Sequence, residues 1–313
     1  MTYRTVFMGT AEIACTPLRA LCEMEGIELS GVLTQPDKPS GRKLRLQSSP
    51  VKQTAEKLGL QIFQPENLRD QSALKLLSEL QPNLFVVMAY GQILPKAVLD
   101  LPSYGALNLH ASLLPRHRGA APIQRALLEG DSETGITLMQ MAPSLDTGDM
   151  IAKISTPIHA TDTSETLHDR LAGLSGTILL ESLMKYLAGK ITPIPQDDTA
   201  ATYARKVTKE EGQVDWSQSA THIHRQFRAF TPWPGAFFTI PSPSVTRARI
   251  HEATPSDGEG APGEVLIVDP NRLRIGCGQG TLDISILQKQ GGRPMSVRDF
   301  LNGHTVQVGD RFI

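Results

Sequence analysis

The sequence predicts an α/β protein in which a doubly wound, mostly parallel sheet of Rossmann-like type is followed by a small OB-like β-barrel. Apolar runs alternate with segments of helical spacing over the first part of the chain, which is the pattern of successive β-α-β units. Residues 84–89, LFVVMA, are apolar without interruption, as in a strand buried on both faces of a parallel sheet. Beyond residue 202, short strand-like segments with frequent Gly and Pro replace the helices, which is typical of a small barrel.

The elements of the first part follow from periodicity and punctuation. The helix that begins at Pro50 has the clearest signals, because Ser49 can cap it, Pro50 suits the first helical position and Gly59 can end it. The last two strands of this part are expected to form a hairpin. Strands are predicted at 6–8, 29–33, 84–89, 105–110, 135–141 and 150–158, and the other helices at 13–24, 73–80, 122–128 and 163–187.

The second part begins after a segment that lacks periodicity. Residues 189–202 contain Pro, Thr and Asp in the proportions of a linker. The domain limits expected from this change are 1–189 for the α/β domain, 190–206 for the linker and 207–313 for the barrel. Strands of the barrel are predicted at 235–240, 247–252, 263–268, 273–277 and 281–287.

The composition is that of an ordinary globular protein of 313 residues, with 40% hydrophobic and 20% charged residues. A formal net charge of −1 gives no overall field that favours nucleic acid, so such a partner must be bound by local basic clusters. Three cysteines without a C-x-x-C pair suit free thiols in a reducing compartment. We see no secretory signal or apolar run long enough for a membrane, and expect a cytoplasmic protein without a membrane partner.

Two further absences are expected from the sequence. His222 and His224 lie two apart in a predicted helix and cannot share a metal-binding face, so no metal is predicted. The turn MGTAEIACTP after the first strand lacks the G-x-G-x-x-G pattern, which argues against a dinucleotide site. Because no self-complementary surface is evident, we expect a monomer.

A polar pair interrupts the strand predicted at 105–110. Residues two apart on a strand point to the same face, roughly 6.6 Å apart, so Asn108 and His110 project together from its carboxyl end. In open α/β sheets this edge is where ligands bind. The alternative is that Asn108 is a turn residue and His110 a buried histidine with a structural partner.

A carboxylate for this pair is available in SLDTGDM, residues 144–150. A carboxylate near an imidazole holds one ring nitrogen and stabilises the charged ring, and Asp146 could serve in that way. Asn108 offers a neutral N–H donor suited to an oxyanion. Such a trio without a Ser or Cys nucleophile favours direct acyl transfer, in which the substrate supplies the nucleophile. The alternative is that the aspartates only cap the turn.

These motifs resemble the folate-dependent formyltransferase family. The resemblance is carried by LNLHASLLPRHRGAAPI with SLDTGDM, and it extends over essentially the whole chain. Further motifs, two of which lie in the second domain that smaller relatives lack, indicate the branch of the family that acts on methionyl-tRNA. They are VFMGTAE, GRKLRLQSSPVK, AYGQILP, YARKVTKEEGQVDW and FTPWPGAF.

The resemblance implies transfer of the formyl group of 10-formyltetrahydrofolate to the α-amino group of methionyl initiator tRNA, with release of tetrahydrofolate. It places Asn108, His110 and Asp146 on the family's catalytic trio. By their chemistry, Asn108 and protonated His110 would donate to the formyl oxygen as negative charge appears there. Asp146 would support the charged ring and could relay the proton that the amine loses.

The resemblance also implies a folate site in two loops at the same sheet edge. Their exposed backbone groups can pair with the edge of a pterin ring, and their apolar side chains suit a flat heterocycle. Simple packing is the alternative for the two leucines. The residues are Ala89, Tyr90, Gly91, Gln92, Ile93, Ser112, Leu113, Leu114 and Pro115.

Basic residues provide candidates for tRNA binding. Residues 38–52 contain five Lys or Arg and no acid, and a basic loop at the sheet edge can neutralise acceptor-stem phosphates. The alternative is a solvated charged face. The resemblance favours Arg42, Lys43 and Arg45 here, and Lys206 and Lys209 in the second domain. Arg225, Arg228, Arg247 and Arg249 are further candidates. Residues 230–235, FTPWPG, favour a rigid interdomain turn, with an aromatic stacking platform for bases as the alternative.

One residue departs from the family pattern, and several activities remain open. Arg125 stands where an aromatic residue is common after APIQ, so the packing of its helix is not predicted. The trio alone also allows a formyltransferase for a sugar nucleotide or for glycinamide ribonucleotide, or a hydrolase in which water replaces the amine. A rival of another class is a non-catalytic RNA-binding protein on the same fold. The second-domain motifs favour tRNA, and the intact trio favours an enzyme.

Overall fold

The structure is a computed structural model that describes residues 2–40, 45–241 and 245–313. Up to residue 204 its strands are β1 Tyr3–Gly9, β2 Ile27–Leu33, β3 Lys38–Ser40, β4 Arg45–Gln47, β5 Ile62–Phe63, β6 Leu84–Met88, β7 Ala106–His110, β8 Arg118–Gly119, β9 Glu133–Gln140, β10 Met150–Pro157 and β11 Tyr203–Ala204. Its helices over the same part are α1 Cys15–Glu23, α2 Pro50–Lys57, α3 Gln71–Glu79, α4 Lys96–Leu99, α5 Pro122–Glu129 and α6 Ser164–Leu187.

The rest of the chain is mainly β-structure. Its elements are α7 Ala220–Ala229, β12 Phe237–Ile240, β13 Thr246–Ser256, β14 Val265–Asp269, β15 Arg272–Gly276, β16 Thr281–Lys289, β17 Pro294–Ser296 and α8 Val297–Leu301. None of the helices in the described ranges is both long and apolar enough to span a membrane.

The chain forms two compact units. The first comprises Met1–Pro122, Glu133–Pro157 and His168–Ala204, and the second comprises Ile123–Ser132, Ile158–Leu167 and Arg205–Ile313. The domain limits of 1–189, 190–206 and 207–313 stay a prediction.

A seven-stranded sheet organises the first unit, in the order β10-β9-β7-β6-β1-β2-β5. Five neighbouring strands of this sheet, β5, β2, β1, β6 and β7, are parallel. Strand β9 runs antiparallel to β7 and forms a hairpin with β10. The mostly parallel sheet and the hairpin predicted from the sequence are therefore confirmed. All five residues of β6 are buried, as its uninterrupted apolar sequence predicts.

The strand order reverses beside β1. The chain runs outward from β1 to β2 and β5, and then returns to β6 on the other side of β1. The loops after β1 and β6 are joined there, since the Thr10 hydroxyl donates to the Tyr90 carbonyl at 2.7 Å. Ligands of open α/β sheets bind at such reversals. The last residue of β1, Gly9, has no room for a side chain, because a Cβ there would lie 2.8 Å from the Phe7 ring and 3.1 Å from the Met88 carbonyl oxygen.

The second unit contains an antiparallel sheet in the order β12-β13-β16-β15-β14, with β17 on β16. The last residues of the chain join its two outer strands. Phe312 donates its N–H to the Gly263 carbonyl at 2.8 Å just before β14, and Ile313 donates to the Thr239 carbonyl of β12 at 2.9 Å. This arrangement closes the sheet in the manner of a small barrel, and the antiparallel β domain predicted for this part is confirmed.

Candidate active site

Asn108 and His110 lie at the carboxyl end of β7, the last of the parallel strands. Asn108 is half-buried and His110 is buried. Neighbouring strands on both sides hold β7, with Asn108 opposite Val87 of β6 and His110 opposite Thr137 of β9. The two side chains are two residues apart on a regular strand and therefore project from the same face.

Asp146 approaches the histidine from the loop between β9 and β10. Its Oδ2 atom lies 3.6 Å from His110 Nδ1, and the side chains expose only 11% and 7% of their surface. The same Oδ2 accepts the Gly119 N–H at 2.8 Å. The carboxylate is thus fixed between the imidazole and the loop that follows β7.

The second ring nitrogen of His110 also faces an oxygen atom. Nε2 lies 2.9 Å from the His117 carbonyl oxygen. A neutral imidazole donates from one nitrogen only, whereas the protonated ring donates from both. Nε2 can therefore donate to this carbonyl, and it must exchange that partner before it can donate to another group.

Asn108 stands in different surroundings. No described residue forms a hydrogen bond with its side-chain amide. Of the three predicted catalytic side chains, Asn108 is thus the one whose N–H group is available without rearrangement.

The backbone of the turn that carries Asp146 adopts a conformation that few residue types tolerate. Asp146 has a φ of +53°, in the left-handed region that Asp tolerates better than most residues. Gly148 follows because a Cβ at this position would lie 1.9 Å from the Gln140 carbonyl oxygen. The sequence D-T-G therefore provides both the carboxylate and the close backbone approach that brings it to His110.

Residues that sequence reasoning did not select support this turn. Gln196 donates its side-chain amide to the Asp146 and Gly148 carbonyls, each at 2.8 Å. Its Oε1 accepts from Arg118, whose Nη2 also donates to Asp198 at 2.7 Å. Gln196 lies in the segment expected to be a linker, and nothing in its local sequence indicates a partner fifty residues earlier.

The loop after β7 is held by buried polar contacts. The Ser112 hydroxyl donates to the Arg116 carbonyl at 2.6 Å, and the Ser112 carbonyl accepts from Thr137 at 2.7 Å. Leu114 is fully buried, and its N–H donates to the Thr137 hydroxyl at 3.1 Å. Leu113 and Pro115 are half-buried. The predicted folate residues of this loop therefore form a fixed wall.

The loop after β6 presents both buried and exposed groups. Ala89 and Gly91 are exposed, with φ values of +47° and +82°, and Ile93 exposes 74% of its surface. The Tyr90 side chain lies in the hydrophobic core instead, and burial raises the pKa of its hydroxyl. Tyr90 can therefore contact a ligand only through its backbone. Gln92 closes the loop by donating to the Pro65 carbonyl at 3.0 Å.

The structure describes only some of the residues predicted to bind tRNA. Arg42 and Lys43 lie outside the described residues, and Arg45 begins β4. Lys52, at the end of the same basic stretch, pairs with Asp37 at 2.7 Å and lowers the pKa of that carboxyl together with Gln64. The stretch is therefore less positive than its own residues indicate, because the neutralising acid precedes it.

The basic residues of the second unit fall into two groups. Lys206 and Lys209 are exposed, and their ammonium groups have no ion-pair partner in the ranges that the structure describes. Three of the further arginine candidates bind backbone carbonyls instead: Arg225 that of Glu129, Arg228 those of His159 and Asp162, and Arg249 that of Pro232. The two lysines are thus the stronger candidates for phosphate contacts.

Arg125 has a structural role within the second unit. Its side chain is buried, and Nη1 donates to the Glu211 carboxylate at 2.7 Å. It also donates to the Arg205 carbonyl at 3.1 and 3.2 Å. The hydrogen bond from Arg125 lowers the pKa of Glu211. Together, the contacts of Arg125 anchor the segment that carries Lys206 and Lys209. The departure from the family pattern is thereby explained as an anchor for this segment.

No cluster of three or more His, Cys, Asp or Glu that could hold a metal ion is present in the described part of the chain.

Comparisons with known proteins match both parts of the chain. Residues 4–183 match the family model described as formyl transferase, and residues 206–305 match that of the formyl transferase C-terminal domain. The methionyl-tRNA formyltransferase of Marinobacter nauticus is 47% identical over 302 residues, which cover 96% of each chain. That of Dechloromonas aromatica is 46% identical over 309 residues, which cover 99% of this chain and 98% of the relative.

Solved structures with the same fold are more distant in sequence. A variant of HypX from Aquifex aeolicus aligns with 98% of this chain at a TM-score of 0.65 and 18% identity, and the chain spans 49% of that longer protein. An N-formyltransferase from Helicobacter canadensis, solved with folinic acid and dTDP-3-aminofucose, aligns with 91% of this chain and 99% of its own. Its TM-score is 0.66 and its identity 17%. At these identities the likeness shows the fold alone.

Proposed function

The chain belongs to the formyl transferase family, and on this premise we propose that it transfers the formyl group of 10-formyltetrahydrofolate to the α-amino group of methionyl initiator tRNA. The observation that carries the proposal is the identity of 47% to a methionyl-tRNA formyltransferase over 96% of both chains, which includes the second domain. The contact between His110 and Asp146 at the carboxyl end of the parallel sheet also supports the proposal, because it brings two of the predicted catalytic side chains together.

We assign to Asn108 and His110 the stabilisation of the negative charge that develops in the reaction. The methionyl amine attacks the formyl carbon, a new C–N bond forms, and negative charge collects on the formyl oxygen. The amide of Asn108, which has no partner among the described residues, donates to that oxygen, and the protonated ring of His110 places a positive charge beside it. Preorganised donors of this kind stabilise the transition state more than the ground state.

Asp146 has two assigned roles. Its carboxylate balances the charge of His110 from 3.6 Å and is itself oriented by the Gly119 N–H. Completion of the transfer breaks the bond between the formyl carbon and the folate nitrogen and moves one proton from the amine to that nitrogen, and Asp146 and His110 are the groups that can carry the proton. An α-amino group has a reference pKa of about 7.7–8.0, so much of the amine is neutral near that pH and needs no strong base.

The folate supplies an activated formyl group, and two loops of the first unit have the groups to hold it. Ala89 and Gly91 expose backbone at the loop after β6, and Ile93 exposes an apolar side chain beside them. The fixed wall of Ser112–Pro115 is the second side of the proposed site. Backbone donors and acceptors with apolar walls suit a flat heterocycle that carries polar edges.

The exposed Lys206 and Lys209 are assigned to tRNA phosphates, together with Arg42, Lys43 and Arg45 from the first unit. We further propose that the protein works as a cytoplasmic monomer without a membrane partner or a metal ion.

Formyl transfer from 10-formyltetrahydrofolate to charged tRNA tests the proposed function directly. Purified full-length protein is incubated with methionyl initiator tRNA, and formyl-methionine is quantified after release from the tRNA. Methionyl elongator tRNA, uncharged initiator tRNA and buffer alone are the controls. We expect kcat/KM to be highest for methionyl initiator tRNA. Formate release at the same rate without tRNA would indicate a hydrolase, and tRNA binding without turnover would indicate a non-catalytic protein.

A further inference from the structure

We propose that Gln196 is a positioning residue for formyl transfer, which fixes the Asp146 turn so that the carboxylate faces His110. The inference rests on the proposed function for its kinetic consequence, but its structural part stands on contacts within the first unit. Gln196 lies more than fifty residues from the catalytic strand, in a segment without regular secondary structure.

The side-chain amide of Gln196 uses its full hydrogen-bonding capacity. Nε2 donates to the carbonyls of Asp146 and Gly148, each at 2.8 Å. Oε1 accepts from Nε and Nη2 of Arg118, at 3.1 and 2.9 Å. A primary amide has two N–H groups and two lone pairs, and all four are thus engaged.

These partners also determine which way the amide points. A rotation by 180° would place Oε1 against two carbonyl oxygens and the NH₂ group against a guanidinium that cannot accept a hydrogen bond. Arg118 is only 2% exposed and is held from its other side by Asp198. The buried arginine therefore fixes the orientation of Gln196, and Gln196 fixes the carbonyl groups of the turn.

The turn needs such support because of its backbone. Asp146 has a φ of +53°, and single non-glycine residues in this region are strained unless their surroundings hold them. The strand β8 supports the aspartate at two points. Arg118 acts on its backbone through Gln196, and the Gly119 N–H donates to its carboxylate at 2.8 Å. Strand β11 in turn pairs with β8, so the segment after Gln196 completes the support.

The substitution Gln196→Glu tests the proposal with little change in shape. A carboxylate at position 196 can still accept from Arg118, but it presents an oxygen to the carbonyls of Asp146 and Gly148. We expect kcat for methionyl-tRNA formylation to fall roughly 10–100-fold, since small displacements of a catalytic group cost rate of this order. The KM values for folate and tRNA should stay within about twofold, because neither substrate is assigned to Gln196.

Amide hydrogen exchange at Gly119 gives a readout that is independent of activity. The Gly119 N–H is protected by the Asp146 carboxylate, so it should exchange faster in Gln196→Glu than in the unaltered protein. The matched control is Gln61→Glu, which makes the same chemical change at an exposed position of the first unit. We expect this control to change neither kcat nor the exchange of Gly119. Gln196→Met, similar in length but without polar atoms, replaces Gln196→Glu if the latter does not fold.

Two results would overturn the proposal. One is a folded position-196 variant with unaltered kcat, and the other is a reduced kcat with unaltered exchange at Gly119. Absence of formyl transfer by the unaltered protein would reject the proposed function instead. In that case the exchange measurement still decides whether Gln196 holds Asp146.

Discussion

Asn108 and His110 lie on the same strand but differ in the contacts that hold their side chains. His110 is buried between the Asp146 carboxylate and the His117 carbonyl, so its position is fixed before any substrate arrives. Asn108 is half-buried and has no partner among the described residues. We infer that Asn108 is the first donor to the developing oxyanion, and that His110 acts mainly through its charge.

Replacement of Asn108 by Ala should therefore lower kcat by about 10²–10³-fold, the usual effect of losing one oxyanion donor. The KM values should change little, since the lost bond forms mainly in the transition state. Steady-state formylation kinetics measure both. Asn271→Ala, an exposed asparagine of the second unit, is the matched control. A loss of kcat below about threefold would remove Asn108 from this role.

Arg125 and Arg205 allow a paired test, because both bind the Glu211 carboxylate and differ in burial. Arg125 exposes 6% of its side chain and Arg205 exposes 72%. Loss of a buried partner typically costs about 3–5 kcal/mol, whereas an exposed pair contributes about 0–1 kcal/mol. Urea unfolding should therefore show a much larger loss of stability for Arg125→Ala than for Arg205→Ala. Equal losses would contradict the anchoring role given to Arg125.

At the scale of secondary structure, the sequence predicts the elements whose signals come from residues close together in the chain. The apolar run 84–88 became a central strand, and Ser49 caps α2 by accepting the Lys52 N–H at 3.0 Å. The spacing of Asn108 and His110 likewise predicts their common face. Each of these features depends on residues that are close in sequence.

Elements that depend on distant partners were missed. Strands β8 and β11 contain two residues each and pair across more than eighty positions, so neither has a local hydrophobic pattern. Gln196 has no local sequence signal for the same reason. The distance between Asp146 and His110 also required the structure, since only the fold determines where the loop between β9 and β10 returns. The pairing of Lys52 with Asp37 likewise required the structure, because Asp37 lies outside the basic stretch.

The pairing of β15 with β16 leads to a prediction on acid stability. Arg274 lies opposite Asp283 and binds its carboxylate at 2.7 and 2.8 Å, and this contact, with Arg272, lowers the pKa of Asp283 below its ordinary 3.8. A lowered carboxyl pKa contributes stability above the unfolded-state value, and this contribution is lost as the pH falls through the folded-state value. Asp283→Asn should cost about 1–3 kcal/mol at pH 7.

Unfolding free energies at pH 7, 4 and 3 test this prediction. The unaltered protein should lose more stability on acidification below about pH 4 than Asp283→Asn does, because the variant lacks the titrating group. Asp257→Asn makes the same change of charge at an exposed position of the second unit. Parallel pH curves for the unaltered protein and Asp283→Asn would contradict the assignment.

At the scale of the whole molecule, the net charge of −1 means that tRNA must be attracted by local groups. The proposed groups are the basic residues of the 38–52 stretch and the exposed lysines 206 and 209. Identity to the Marinobacter nauticus relative extends over both parts of the chain.

Arg42→Ala tests the basic stretch, although this residue lies outside the described ranges. The apparent KM for methionyl-tRNA should rise several-fold, and the slope of log KM against log salt should fall by about 1, as expected for one lost phosphate contact. The KM for the folate should not change. Arg19→Ala, on the exposed side of α1, is the control. An effect on the folate KM alone would reassign the loop.

The most direct measurement is the single-turnover rate of formyl transfer by Asp146→Asn, together with its affinity for methionyl-tRNA. Asparagine keeps the size of the side chain but removes the negative charge beside the imidazole. If Asp146 and His110 work as one charged unit around the formyl carbon, the rate falls by roughly 10²-fold or more while tRNA affinity stays within about twofold. An unaltered rate would contradict the account, because the carboxylate would then have no part in the chemistry.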